Sequence, residues 1–169
     1  YTIEPIVGFT GRYRFLSNFH QSPVTVVIAL DDRSTGSAMR EAIMFPTAEH
    51  AYQASKAISA ASVEYIRTAD DAAMAKLRGR SIAVVPDWDQ IKIAVMREIV
   101  KAKFDQHPML QRLLLETGTR ELIQHHTGRD DFWGVVRGAG VHDSQTYSGQ
   151  NWLGTLLMER RAVLARGVE

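Results

Sequence analysis

FPTAEHAYQASK, residues 45–56, is the stretch on which both fold and chemistry turn. Phe45 closes an apolar run, Pro46 interrupts it, and Thr47 stands where a helix N-cap belongs. With Thr47 as cap, Glu49 falls in the first helical turn, and Gln53 and Lys56 follow at i+4 and i+7 on one face. Ala48, Ala51, Tyr52 and Ser55 form a small-residue face suited to close packing against a sheet. A carboxylate, an amide and an amine thus line up at a strand-to-helix junction, where α/β and α+β proteins place much of their chemistry. A purely structural reading stands beside this one. An acid in the first turn favours the helix dipole by a few tenths to about 1 kcal/mol without further purpose, and Gln and Lys on one face are common on a solvated helix. The capping box is also incomplete, because His50 rather than Glu or Gln follows three residues after Thr47.

Working outward, residues 24–30 (VTVVIAL) are β-branched and read as a strand. Residues 31–37 (DDRSTGS) read as a turn and 38–45 (AMREAIMF) as the returning strand, giving a hairpin with a seven-residue loop that leads into the Glu49 helix. Further upstream, residues 13–19 (YRFLSNF) interleave aromatics with Arg and Asn. They suit a short strand or loop near a ligand, or an anchored edge.

Downstream, residues 62–68 read as a short helix and 70–78 (DDAAMAKLR) as a better one, with Asp70 as cap and Gly79 as stop. Asp87 with Gln90 three later matches a capping box. Trp88, Ile91, Val95 and Ile99, widened by Met96 and Val100, recur at helical spacing as far as about residue 106. Pro108 suits the first turn of a helix over 109–116 that Gly118 ends. Residues 121–126 (ELIQHH) read as a strand, and 128–149 as one long loop or two short strands around 133–136. A last helix opening at Ser148 or Gly149 buries Leu153, Leu156, Leu157, Val163 and Leu164. The expected class is α+β: a compact, mainly helical single domain around a small antiparallel sheet.

At 169 residues the length suits one domain rather than two. Twenty basic against nineteen acidic residues give a formal charge of +1, so no global basic field marks a long nucleic-acid groove, while a local phosphate pocket stays compatible. There is no cysteine, which excludes disulfides, thiolate catalysis and Cys-ligated zinc, and suits a reducing cytoplasm. No apolar run approaches the roughly 18–20 residues needed to span a bilayer. The first residues, YTIEPIVGF, lack the basic-then-apolar pattern of a secretory leader. The expectation is a cytoplasmic protein with no membrane partner.

Several motifs are missing: no GxxxxGK[ST] loop, no GxGxxG after a strand, no HExxH. His125 and His126 are adjacent and would face opposite sides of a strand, so no metal site is expected. What remains is Asn18, Glu49, Trp88, Asp130, Asp131, Trp133 and Asn151, placed in loops or at helix starts. Tryptophan in a polar loop offers a face on which a base stacks. Paired carboxylates suit glycosidic cleavage, where positive charge builds on the sugar. Taken singly, the tryptophans read equally as core anchors and the aspartates as turn residues.

These residues fall in a recognisable order. FLSNF (15–19), FPTAEHAYQASKA (45–57), AKLRGR (75–80), residues 87–110, LLLETGTRELI (113–123), DDFWG (130–134) and GQNWLGTLLMERRAVL (149–164) together resemble the NADAR, or YbiA-like, family. The resemblance implies a compact, largely helical α+β domain and N-glycosidase activity with neither metal nor cofactor. The implied substrates are phosphorylated ribosylamino-pyrimidine intermediates of riboflavin synthesis, or alternatively ADP-ribose on guanine in DNA. Against both stands a non-catalytic binder of ADP-ribose or nucleotides. By position, the resemblance makes Glu49 the principal catalytic carboxylate and Asp130 the second acid, with Trp133 and Trp88 as base-stacking walls. Asn18 and Asn151 would meet ribose hydroxyls, Phe19 and Gly134 extend the substrate-binding set beside them, and Lys56, Arg12 and Arg14 would hold a phosphate. Two departures bear on substrate: Gln124, where relatives often carry an acid, and a long polar loop over 137–148. An N-glycoside breaks through an oxocarbenium-like sugar, so Glu49 would stabilise that charge or activate water, while Asp130 would hydrogen-bond ribose or protonate the base.

Overall fold

A computed structural model of the chain describes residues 3–32, 36–125, 128–137 and 147–167. In chain order the elements are β1 (Ile6–Val7), a 3-10 helix (Gly11–Leu16), β2 (Val24–Asp32), β3 (Ser37–Phe45), α1 (Ala48–Ser55), α2 (Ala60–Arg67) and α3 (Ala72–Gly79). They continue with α4 (Trp88–Gln106), α5 (Pro108–Glu116), β4 (Leu122–Ile123), β5 (Val136–Arg137), β6 (Tyr147–Ser148) and α6 (Trp152–Arg166). The class is α+β and mainly helical. The strands form three pairs: β2 with β3 and β5 with β6 antiparallel, β1 with β4 parallel. The parallel pair escaped the sequence reading because two-residue strands carry no periodicity. Contacts group residues Asn18–Pro108 into one unit, and those up to Ser17 with those from Met109 onward into another.

In the first unit the β2–β3 hairpin has the alternation of a half-covered sheet. Val24, Ile28 and Leu30 are buried, while Val27 on the opposite face is 64% exposed. Pairing runs through Asp32↔Ser37, two rungs beyond the expected strand ends, so the connection is shorter than the seven residues anticipated. The outer edge of β2 is closed at one rung by a side chain: Gln106 donates from Nε2 to Thr25 O and accepts from Thr25 N–H, both at 2.8 Å. That carboxamide takes the place of a further strand residue at an otherwise open edge.

α1 is the hub. α2, α3, α4 and both hairpin strands pack on it, and Ala48, Ala51 and Ala54 have essentially no exposure. Helices approach an eight-residue segment this closely because its contact positions are alanine. Thr47 caps it as expected, its hydroxyl accepting His50 N–H at 3.2 Å. His50 completes the cap differently from a Glu or Gln. Its Nε2 lies 3.0 Å from Ala69 O and its Nδ1 2.8 Å from the Thr47 hydroxyl. A carbonyl only accepts, so Nε2 carries its hydrogen, and the Thr47 hydroxyl donates to Nδ1. The imidazole thus ties the start of α1 to the link between α2 and α3.

Three helix starts change, the last being α6, which opens at Trp152 after Asn151 and not at Ser148 or Gly149, because Ser148 is taken up in β6. α3 is capped by Asp71, not Asp70: its Oδ1 accepts Met74 N–H at 2.7 Å, because the helix begins one residue later than expected. At α4, Asp87 makes no side-chain cap. Its backbone, at φ −95° and ψ 18°, lies outside the extended region from which a cap side chain reaches the third amide. Backbone bonds from Gln90 and Ile91 to Asp87 O, at 3.0 and 3.2 Å, close that turn instead.

The buried face of α4 comprises Trp88, Met96, Ile99, Val100 and Phe104, and also Lys103, which is 1% exposed. In the second unit Ile6 pairs with Leu122 and Val7 with Ile123, and α6 packs on β4 through Leu153, Leu156 and Leu157. No helix among the described residues is long and apolar enough to cross a membrane.

Burial pushes the Lys103 ammonium down to about 7. Below that pH the folded and unfolded chains both hold the proton. Above it the folded chain loses the proton while the unfolded chain keeps it to its ordinary value near 10.5, so stability rises with pH through this window, by up to about 1.4 kcal/mol per unit. Lys103→Met is expected to raise stability at pH 7 and to flatten this component of the slope between pH 7 and 9.5, measured by urea denaturation. An unchanged slope would show that Lys103 is not the group responsible.

Candidate active site

Glu49 occupies the first turn of α1 and is 7% exposed. Its backbone N–H, one of the helix's unpaired amides, donates to Asn18 O at 3.0 Å. One turn on, Gln53 Nε2 donates to Glu49 Oε1 at 2.8 Å. A carboxylate oxygen accepts, which orients the carboxamide with Nε2 toward Glu49 and Oε1 away from it. Gln53 is itself buried, and its Oε1 has no hydrogen-bond partner among the described residues. That oxygen lies against the backbone of Gly79. A β-carbon at Gly79 would sit 2.7 Å from Gln53 Cδ and closer still to Oε1. Gly79 therefore does more than the helix stop anticipated from sequence: it is the last residue of α3, its φ is not left-handed, and its missing side chain makes room for Gln53. The solvated-face alternative for Glu49 and Gln53 does not hold, because both side chains are enclosed.

Around this pair stand the other expected residues of the first unit. Asn18 is buried, with Nδ2 3.4 Å from Met96 Sδ, and Phe19 beside it is half-buried. Lys56, at the C-cap of α1, is half-buried with Nζ 5.9 Å from the Tyr52 ring centroid. Burial pushes its ammonium below the usual lysine range, the Glu49 charge pulls it back up, and Lys76 and Arg80 push it down further. Lys56 thus shares the electrostatic neighbourhood of Glu49 with two cations of the 75–80 segment. Trp88 is nine-tenths buried, and its ring is tilted on Tyr52 with centroids 5.3 Å apart. Trp88, foreseen as a wall for a base, thus also packs in the core beside α1.

The remaining expected residues lie in the second unit, where they organise the start of α6. Asp130 Oδ1 accepts from the N–H groups of Phe132 and Trp133 at 3.1 and 2.9 Å, an Asx-type turn. The carbonyls of Gly134, Phe132 and Trp133 then accept from Asn151, Trp152 and Leu153 N–H at 3.0–3.1 Å, satisfying amides at the start of α6. Trp133 is half-buried and meets Phe132 edge to face, with centroids 4.8 Å apart. Asn151, expected near ribose, bonds backbone in this structure. Its Oδ1 accepts Gln124 N–H and its Nδ2 donates to Leu122 O, both at 2.9 Å, so both ends of the carboxamide bind backbone. Gly134 allows a close approach to the Gln124 carbonyl, beside the 2.7 Å bond from Val135 N–H. Gln124, the departure noted in sequence, keeps a buried Oε1 without a described partner.

Arg12 and Arg14 lie on the 3-10 helix of this second unit and are exposed. Arg12 bonds the Tyr13 hydroxyl. Most of the loop noted over 137–148 falls outside the described residues, as does His126. Among the described residues no cluster of three or more His, Asp or Glu is placed to hold a metal ion.

Sequence alone placed Gln53 on the face of Glu49 but not its bond; the i+4 spacing was the available signal. Gly79 shows whether that bond matters. In an ordinary helix Gly→Ala stabilises by about 0.5–1 kcal/mol. Gly79→Ala is expected to have the opposite sign, destabilising on the order of 1–3 kcal/mol as the Gln53–Glu49 bond is displaced. Thermal and urea unfolding check this, and a gain in stability on Gly79→Ala would refute this role for Gly79.

Comparison with known proteins places the chain in a family. The NADAR domain family model matches residues 8–165. The chain is 38% identical over 166 residues to the N-glycosidase YbiA of Escherichia coli (strain K12), covering 97% of this chain and 89% of that protein. It is 34% identical over 155 residues to the riboflavin biosynthesis protein VVA0006 of Vibrio vulnificus (strain YJ016), covering 90% of this chain and 36% of that one. The NMR structure of the E. coli protein YbiA superposes with a TM-score of 0.70 at 31% identity, covering 98% of this chain and 89% of that chain. The chain belongs to the NADAR family.

Proposed function

We propose that this chain is an N-glycosidase that hydrolyses the bond between a ribosyl group and a base, with Glu49 as the catalytic carboxylate. The observation that carries this reading is the enclosure of Glu49. Its backbone is anchored on Asn18 O and its Oε1 is oriented by Gln53 Nε2, at 3.0 and 2.8 Å. A carboxylate fixed this way can face developing positive charge on a sugar, or take a proton from attacking water, without first reorganising. The helix N-terminus favours its charged form, as both roles require.

The relatives' names and the local charge support a substrate class. Relatives are named N-glycosidase and riboflavin biosynthesis protein, which supports phosphorylated ribosylamino-pyrimidines. Lys56, on which Glu49, Lys76 and Arg80 all act electrostatically, suits with those two cations a phosphorylated ribosyl group. The roles of Asp130 as second acid and Trp133 as stacking face rest on the family resemblance. Asp130 Oδ1 is already bound in its turn, which leaves Oδ2 for that role.

Two substrates separate the readings by chromatography: a ribosylamino-pyrimidine phosphate, and an oligonucleotide carrying ADP-ribosylated guanine. Release of ribose 5-phosphate from the first is expected, and Glu49→Gln is expected to lower kcat/KM about 10²- to 10⁴-fold. Full activity in that variant would remove Glu49 from the chemistry. Release from the oligonucleotide alone would transfer the activity to DNA.

A further inference from the structure

A second charged cluster lies in the other unit, around Tyr13. The Tyr13 hydroxyl accepts a hydrogen bond from Arg12 Nη2 and another, at 2.8 Å, from Arg120 Nη1. Both guanidinium carbons stand over the same ring, 4.8 and 5.6 Å from its centroid. Guanidinium keeps its charge in any protein setting, so two cations converge on one neutral oxygen. Among the described residues neither forms an ion pair with a carboxylate.

These groups line a cleft of about 240 Å³. Thr117 also lines it, donating from its hydroxyl to Leu114 O at 2.6 Å and accepting from Arg161 Nη1 at 2.8 Å. Arg161 is buried, so a third guanidinium adds positive potential from behind. Glu116, exposed, is the one carboxylate lining the cleft among the described residues. The donors are partly preorganised. Arg120 Nε is tied to Glu4 O at 2.8 Å, which fixes its fork, while most N–H groups of Arg12 and Arg120 have no partner among the described residues. The Tyr13 oxygen accepts twice, so its own O–H is left to donate outward. Arginine forks match a tetrahedral oxyanion in geometry as well as charge.

We propose that Arg12, Arg120 and the Tyr13 hydroxyl form a binding site for a phosphoryl group, either free phosphate or the phosphate of a sugar phosphate. Arg120, which no local motif singles out, is the partner that makes Arg12 part of a site, whereas Arg14 does not line the cleft. The inference stands independently of the glycosidase reading, because binding is measured without turnover.

The test is calorimetric titration of the whole chain with inorganic phosphate and ribose 5-phosphate, with ribose as control. Saturable binding of both anions and none of ribose is expected, weakened at least tenfold in Arg12→Gln/Arg120→Gln and measurably in Tyr13→Phe. The two arginines hold the Tyr13 phenol below its usual range, the Arg12 hydrogen bond most of all. Bound phosphate should therefore raise the titration of the Tyr13 ring followed by NMR. Absence of saturable binding, or equal affinity in the double variant, overturns the proposal. If loss of the Arg120–Glu4 bond prevents folding, Arg12→Gln alone carries the test, since Arg12 is exposed. In the glycosidase assay, a raised KM for the phosphorylated substrate at unchanged kcat in Arg12→Gln would assign the site to the substrate's own phosphate. An unchanged KM with phosphate binding lost would assign it to free phosphate.

Discussion

A carboxylate, a carboxamide and an imidazole are enclosed on one short helix, and residues 18–108 are arranged around them. Buried polar groups are costly unless bonded. Glu49 meets Gln53, Gln53 fits against a side-chain-free Gly79, and His50 spans from Thr47 to Ala69. Gly79 comes from α3 and Ala69 from the link between α2 and α3, while Gln53 lies on α1 itself and Thr47 is its cap. The hub therefore needs its surrounding helices for polar satisfaction as much as for apolar burial.

The same economy governs the second unit, where side chains that resemble ligand-binding groups serve the backbone. Asp130 holds the turn through Trp133, that turn caps α6, and Asn151 fastens the start of α6 to β4. Asn151 adopts φ 49°, a left-handed conformation that asparagine tolerates better than most residues. Its type at this position answers to backbone geometry as well as to any ligand.

Electrostatics separates the two units. Near Glu49 the cations are balanced against a carboxylate, and Lys56 is pulled in both directions by its neighbours. Around Tyr13 the guanidinium groups share their cleft with one exposed carboxylate, Glu116, and form no ion pair among the described residues. In a chain with a formal charge of only +1, such local excess is invisible to composition. It arises because Arg12 and Arg120, more than a hundred positions apart in the chain, meet at one phenol oxygen.

Sequence by itself determined what depends on neighbours along the chain. The hairpin came from a β-branched run followed by a turn and a returning strand, the Thr47 cap from its place before an alanine-rich run, α5 from its proline and following glycine, and the shared face of Glu49 and Gln53 from helical spacing. Tertiary structure decided what depends on approach between distant segments. It enclosed Glu49, turned Gly79 from a helix stop into a seat for Gln53, engaged Trp88 with Tyr52, and bound Asn151 to β4. It also paired β1 with β4 across more than a hundred residues. Local propensity is a property of a few consecutive residues, whereas burial and hydrogen-bond partnership are fixed only when separate segments meet.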